Sequence, residues 1–134
     1  MPKGPISVSV TAATLTGNHG AEAMLLATVG RIRDRVPDAT FNVFSYYPRE
    51  DAARVKDPSV RVFSLTPMTV VFHLLPLCAL LALLRRLGLG LASFLVPADV
   101  RALAGSRVQV DLAGVSFMEG RRRFLAFNTL TLLP

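Results

Sequence analysis

The sequence is poor in the residues that usually carry metal or nucleophilic chemistry. It has no tryptophan, two histidines and one cysteine, Cys78, which stands in an apolar stretch. A single cysteine excludes a disulfide within the chain and leaves a zinc site short of ligands. Because His19 and His73 are far apart in unlike surroundings, their spacing indicates neither a metal cluster nor a Ser-His-Asp triad. We therefore expect no metal and no cofactor, and spacing alone names no catalytic residue.

The basic excess does not follow a nucleic-acid-binding pattern. Lysine and arginine number 15 against 9 acidic residues, which gives a formal net charge of +6. Apart from the runs at 85–86 and 121–123, basic residues are mixed with acids, and no aromatic residues alternate with them as on a stacking surface. We expect no nucleic-acid partner. The first ten residues contain one charge and no leucine run, so they do not resemble a signal peptide, and we expect a cytoplasmic chain.

Hydrophobic periodicity predicts alternating strands and helices in one domain-sized chain of 134 residues. Strands are predicted at 6–12, 40–45, 59–65 and 107–112, and helices at 21–36, 49–56, 97–103 and 124–132. The stripe of the first helix that should face the core contains Met24, Leu25, Thr28, Val29, Ile32 and Val36. This order predicts an α/β fold with a Rossmann-like, open, mainly parallel sheet and flanking helices.

Residues 67–97 form a long apolar stretch that the alternation does not explain. No formal charge occurs from Met68 to Leu84, and Arg85 and Arg86 follow directly. A helix of this composition can span a bilayer, lie on a membrane surface or fill a protein core. His73 and Pro76 interrupt the run, and the neighbouring strands belong to a soluble sheet, so a surface helix and a core helix are both favoured over a spanning one.

The turn Gly17-Asn18-His19-Gly20 stands between the first strand and the first helix. Backbone N–H groups and the helix dipole at such a turn favour an anion or an oxygen-rich ligand. The alternative is a plain helix start, in which Asn18 caps the helix, Gly20 takes a conformation barred to other residues and Glu22 favours the dipole. The turn lacks the spacing of a dinucleotide fingerprint and the lysine of a Walker A loop.

A second motif, DLAGVSFMEGRRR, begins at the end of the fourth predicted strand. Asp111 at the strand end, Gly114, the hydroxyl of Ser116 and the basic run from Arg121 would together suit a sugar and a phosphate. A simple loop with a solvated basic run is the alternative. Since ligands of open α/β sheets bind beyond the carboxyl ends of the strands, both motifs are expected on one edge.

TGNHGAEAMLLATVGRI and DLAGVSFMEGRRRFLAFNTLTLLP together resemble the polysaccharide pyruvyl transferase family. The resemblance implies a two-domain enzyme similar to a GT-B glycosyltransferase, which moves the enolpyruvyl group of phosphoenolpyruvate onto sugar hydroxyls to form a pyruvate ketal. Residues 1–134 would then be an incomplete N-terminal Rossmann-like domain, without the C-terminal half that holds the donor-binding residues, and inactive alone. Phosphoenolpyruvate is a substrate here, not a cofactor.

The chemistry of ketal formation, which needs a base, an acid and cations, suggests roles for the residues of both motifs. Asn18 and Gly20 would shape an acceptor-sugar site, His19 would act as a donor, and Glu22 or Asp111 as a base or anchor, with Arg121 on a phosphate or carboxylate. The acceptor would be a sugar or lipid-linked saccharide, approached by peripheral contact of 67–97 with the inner face of the cell membrane. Two other classes stay open: a non-catalytic truncated α/β module or membrane-associated interaction protein, and a nucleotide-binding domain.

Overall fold

The computed structural model describes residues 5–88 and 96–112, which form one open parallel sheet with helices on both faces. Every neighbouring pair of strands is parallel, and the order across the sheet is β3-β2-β1-β4. The strands are β1 (Ser7–Ala13), β2 (Thr40–Ser45), β3 (Val60–Ser64) and β4 (Val108–Asp111). The predicted α/β fold with an open parallel sheet is therefore confirmed, and each strand lies within one residue of its predicted start and end.

Four helices connect the strands, and an asparagine cap or a proline stands at the start of each. They are α1 (His19–Arg35), α2 (Pro48–Arg54), α3 (Pro67–Arg86) and α4 (Ala98–Ala104). Proline stands at the first turn of α2 and α3, where its missing N–H costs nothing. The loop predicted at 113–123 and the helix predicted at 124–132 lie outside the described residues.

The sheet separates two hydrophobic clusters, because alternate residues of each strand point to opposite faces. On the first face, Val8, Val10, Phe41 and Val43 pack with Leu25 of α1. The second face is covered by α3 and α4, and its buried residues are Phe44, Leu65, Val70, Leu74, Cys78, Leu81, Val100 and Leu103. Burying each large side chain of this kind contributes about 1.5–3 kcal/mol.

The predicted stripe of α1 is wider than the surface that the helix buries. Leu25 is buried, and Val29, Ile32 and Val36 pack partly against the first cluster. Met24 was expected in the core but is 42% exposed, so this part of the prediction is wrong. The reason is geometric, since Met24 is turned about 100° from Leu25 around the helix and the contact with the sheet is narrow.

The apolar helix α3 is buried on one side only. Val70, Leu74, Cys78 and Leu81 face the core at steps of three and four residues. Its other side exposes large apolar residues, of which Phe72 is 72% and Leu83 53% exposed. At 20 residues it is long and apolar enough to cross a membrane by length and composition.

A π-helical turn at Val70–Leu74 accommodates the proline inside α3. The N–H of Leu75 bonds to the carbonyl of Val70, one residue further back than in an α-helix. Pro76 has no N–H to continue the α-helical ladder, and the wider turn before it absorbs the mismatch. The helix therefore continues past Pro76 instead of ending there.

The one-sided burial of α3 predicts unequal effects for two leucines of the same helix. Leu74→Ala should lower the free energy of unfolding by about 2–5 kcal/mol, because it opens a cavity in the second cluster. Leu83→Ala should change it by less than about 0.5 kcal/mol. Urea unfolding followed by circular dichroism measures both. Equal losses would mean that α3 does not pack through the face described.

Candidate functional site

The turn before α1 is built by glycine and asparagine with separate tasks. Gly17 has φ +77°, a left-handed conformation that favours glycine. Asn18 is the N-cap, and its Oδ1 accepts hydrogen bonds from the N–H groups of Gly20 at 3.0 Å and Ala21 at 3.2 Å. The expectation that Gly20 needs an unusual conformation is wrong, because Gly20 lies in the first helical turn and Gly17 makes the reversal.

The two titratable residues of this turn interact with each other and with α2. Glu22 forms a salt bridge with Arg54 at 2.7 Å, and its other oxygen lies 3.5 Å from Nδ1 of His19. The His19 side chain is fully exposed. Both oxygens of Glu22 therefore have partners, and the salt bridge ties the start of α1 to the end of α2.

A buried carboxylate organises the loops behind this turn. Asp51 of α2 is 0% exposed, and its Oδ2 accepts hydrogen bonds from the hydroxyl of Ser45 at 2.6 Å and the N–H of Leu15 at 3.0 Å. The hydroxyl of Thr14 lies 3.4 Å from Oδ1. Within residues 5–88 and 96–112, no basic side chain forms a salt bridge with Asp51. Hydrogen bonds alone therefore compensate the loss of its hydration.

These donors also set the acidity of Asp51. Burial by itself raises the pKa of the carboxyl, but hydrogen bonds from Ser45 and from residues 14–16 outweigh burial, so the pKa lies below its usual 3.8. The carboxylate is thus charged at neutral pH and holds the segment after β1 against the end of β2. Sequence analysis missed this residue, because REDAARVK has the composition of a solvated helix and no local signal shows that one acid turns inward.

Asp111 lies at the topological switch point of the sheet. The chain leaves β1 towards β2 on one side and returns through β4 on the other, so the crevice beyond β1 and β4 is where ligands of open sheets bind. Asp111 pairs in register with Thr11, and the N–H of Leu112 donates to the carbonyl of Thr11 at 3.0 Å. Ala12 has φ +55° at the adjacent irregularity of β1, which places local backbone strain beside the crevice.

Tyr46 also lies near Asp111, and neither sequence motif includes it. Burial, and then the negative charge of Asp111, raise the pKa of the Tyr46 phenol above its usual 10.0. The hydroxyl therefore keeps its proton across the physiological range. A tyrosine at the end of a strand carries little signal in a sequence, so Tyr46 is not among the residues predicted for the site.

The carboxyl edge brings together most of the described site candidates. Asn18, His19, Gly20 and Glu22 follow β1, and Asp111 ends the neighbouring strand β4. The remaining candidates, Gly114, Ser116 and Arg121, lie outside the described residues. In the described part of the chain, no three His, Cys, Asp or Glu side chains converge as a metal ion would require. The edge thus offers hydroxyl, carboxylate and imidazole groups to a polar ligand.

The buried carboxylate predicts a large and specific loss of stability in Asp51→Asn. The amide NH2 group of asparagine cannot accept the hydrogen bonds that Leu15 and Ser45 donate to Oδ2 of Asp51. The free energy of unfolding should therefore fall by about 2–3 kcal/mol. Asp38→Asn is the matched control on the surface and should change it by less than about 0.5 kcal/mol. Urea unfolding at neutral pH compares the two. A loss in Asp51→Asn no larger than the control's would contradict this assignment.

The same variant should remove part of the pH dependence of stability. Since the folded pKa of Asp51 is lower than the unfolded value, its contribution is complete above about pH 5 and disappears as the pH falls below 3.8 through the folded pKa. The wild-type chain should therefore lose more stability than Asp51→Asn between pH 5 and pH 3. Parallel curves for the two proteins would count against a lowered pKa.

Comparison with known proteins identifies no relative of this chain. No protein-family model matches it, and no curated protein or solved structure matches it significantly. Its function is therefore inferred from the residues and their geometry.

Proposed function

We propose that this chain is the N-terminal, acceptor-binding part of a polysaccharide pyruvyl transferase with a GT-B-like architecture. One observation carries the proposal: the Asn18 turn and Asp111 follow adjacent strands at the switch point of a parallel sheet. Both are the positions at which the sequence resembles that family. The residues at this edge include the polar groups that a sugar needs, which are carboxylate acceptors and hydroxyl, imidazole and backbone donors.

The proposed reaction adds two hydroxyls of one sugar to C2 of phosphoenolpyruvate. The methylene carbon takes a proton to become the methyl group, and the C–O bond to phosphate breaks, so that a pyruvate ketal and inorganic phosphate are the products. The step needs a base for the sugar hydroxyl, an acid for the enol carbon and cations for phosphate and carboxylate.

The described residues suggest different parts for the two acids in this reaction. Glu22 is held by Arg54 and His19, so it suits an anchor that accepts a hydrogen bond from a sugar hydroxyl. Asp111 ends β4 at the switch point and is the proposed base for a sugar hydroxyl there. His19 is accessible as a donor, and Arg121 remains the proposed partner for the phosphate or carboxylate of the donor substrate.

The exposed side of α3 supports a peripheral position at the inner face of the cell membrane. Its apolar surface, the α3 face, consists of Met68, Val71, Phe72, Leu80 and Leu83, and of Leu87 directly after the helix. Arg86, at the C-terminal end of the helix, is exposed and can reach anionic lipid head groups. A cytoplasmic enzyme held this way would meet a lipid-linked saccharide acceptor. The same surface favours a non-catalytic membrane-associated interaction protein as the second candidate.

The proposed function predicts that the chain binds a sugar at the switch point. Saturation-transfer NMR with a panel of free hexoses should show contact to the chain, and Asp111→Asn should reduce the signal about tenfold because a charged acceptor is lost. Asp38→Asn serves as the control and should bind like the wild type. Signals of equal size in both variants, or from none of the sugars, would overturn the acceptor site. Contact to a nucleoside diphosphate instead would favour the nucleotide-binding alternative.

The proposed function also predicts that the chain contacts membranes through the α3 face. The chain should sediment with vesicles of phosphatidylethanolamine and phosphatidylglycerol, and the double variant Leu80→Gln, Leu83→Gln should partition at least about tenfold more weakly. Leu26→Gln is the matched control, since Leu26 is 58% exposed on α1, across the sheet from α3. Equal partitioning of the double variant and the wild type would exclude contact through this face.

A further inference from the structure

A row of polar side chains crosses the second face of the sheet, where an apolar surface would be expected under a helix. Register places Arg61 beside Asn42, Asn42 beside Ser9, and Ser9 beside Gln109. Parallel neighbours in register share a face, so all four belong to the side covered by α4. Ser9 and Asn42 are buried, at 0% and 7% exposure. The row lies towards the amino ends of the strands, away from the switch point.

Most of the buried polar atoms in this row are satisfied by the protein itself. The hydroxyl of Ser9 lies 2.7 Å from that of Ser106, which in turn donates to the carbonyl of Ala102 in α4 at 2.7 Å. Asn42 donates from Nδ2 to the hydroxyl of Ser7 at 2.9 Å. These bonds fix the orientation of the Asn42 amide. Its Oδ1 accepts no hydrogen bond from any side chain or backbone group of the described residues.

A cavity of about 450 Å³ opens between this row and α4. Asn42 and Ser7 line it from the sheet, Arg61 from β3 and Arg101 from α4. Its described lining contains these two arginines and no acidic residue. Neither guanidinium group forms a salt bridge or hydrogen bond within residues 5–88 and 96–112. Two guanidinium groups, an amide oxygen that accepts no hydrogen bond from the described residues and a volume in the range of small-molecule sites therefore occur together.

We propose that this cavity binds a small organic anion. Arg61 and Arg101 hold its phosphate or carboxylate group, because guanidinium groups form paired, charge-assisted hydrogen bonds with both. A hydroxyl or amide of the same ligand donates to Oδ1 of Asn42, which the protein leaves free. The site lies at the amino ends of the strands, and the proposed acceptor crevice lies at their carboxyl ends. Anion binding here therefore does not depend on whether that crevice binds a sugar.

The probes are glycerol 3-phosphate and glycerate, which join a hydroxyl to a phosphate or a carboxylate, with inorganic phosphate and acetate as fragments. Titrations of the 15N-labelled chain follow the Nε–H signals of Arg61 and Arg101. We expect saturable shifts of these two signals, with tighter binding of a probe than of its fragment. The tighter of the two probes identifies the anionic group. No shift with any probe would overturn the proposal.

Variants separate a positioned site from general positive charge. Arg61→Gln and Arg101→Gln should each weaken binding about tenfold, and the double variant should abolish it. Arg61→Lys keeps the charge but not the paired geometry and should fall between Arg61→Gln and the wild type. Arg31→Gln removes an exposed charge on α1 and should bind like the wild type. Equal weakening in Arg31→Gln and the cavity variants would overturn the site, since the anion would then respond only to net charge. Circular dichroism verifies the fold of each variant.

Discussion

The buried carboxylate of Asp51 is the interaction on which the carboxyl edge of the sheet depends. A charge removed from water needs donors, and here they come from the segment after β1 and from the end of β2. Because those donors must converge on one point, the backbone before the Gly17-Asn18 turn has one arrangement. The salt bridge between Glu22 and Arg54 then fixes the start of α1 against the same helix that carries Asp51. Two contacts of α2 thus hold the wall of the proposed crevice.

The parallel sheet could be predicted because its signals are local. Alternation in ISVSVTA and TFNVFS, with a helix between them, implies a parallel pair of strands. Asp111 lies beside β1 because the fourth strand is added on the side of β1 opposite to β2 and β3. Asp51 could not be predicted, since its burial depends on the meeting of segments that are distant in sequence. Gly17 and Gly20 are equally spaced around the turn, and only backbone geometry distinguishes the one with positive φ. Hydropathy predicts the helix α3, but it does not show which side of the helix packs against the sheet.

The two faces of the sheet differ in polarity. The face under α1 is an apolar core built from Val8, Val10, Phe41 and Val43. The face under α3 and α4 changes from an apolar end at Phe44 to the polar row at Asn42, one residue pair along the same strand. Such a row lowers the hydrophobic contribution of that face, which a protein tolerates where polar groups have partners or a ligand. The apolar helix α3 covers the apolar end of this face.

The pairing of β1 with β4 also has a consequence for how the molecule forms. Ser7 and Ser106 meet across 99 positions of the chain, whereas β1 and β2 are joined by one helix. Closing so large a loop is entropically costly, so contacts of this range form after local ones are in place. The units β1-α1-β2 and β2-α2-β3 can therefore assemble first during synthesis, while one edge of β1 stays unpaired until β4 has emerged. The crevice at Asp111 is then among the last features to appear, and a chain stopped before β4 would expose an unpaired strand instead of a site.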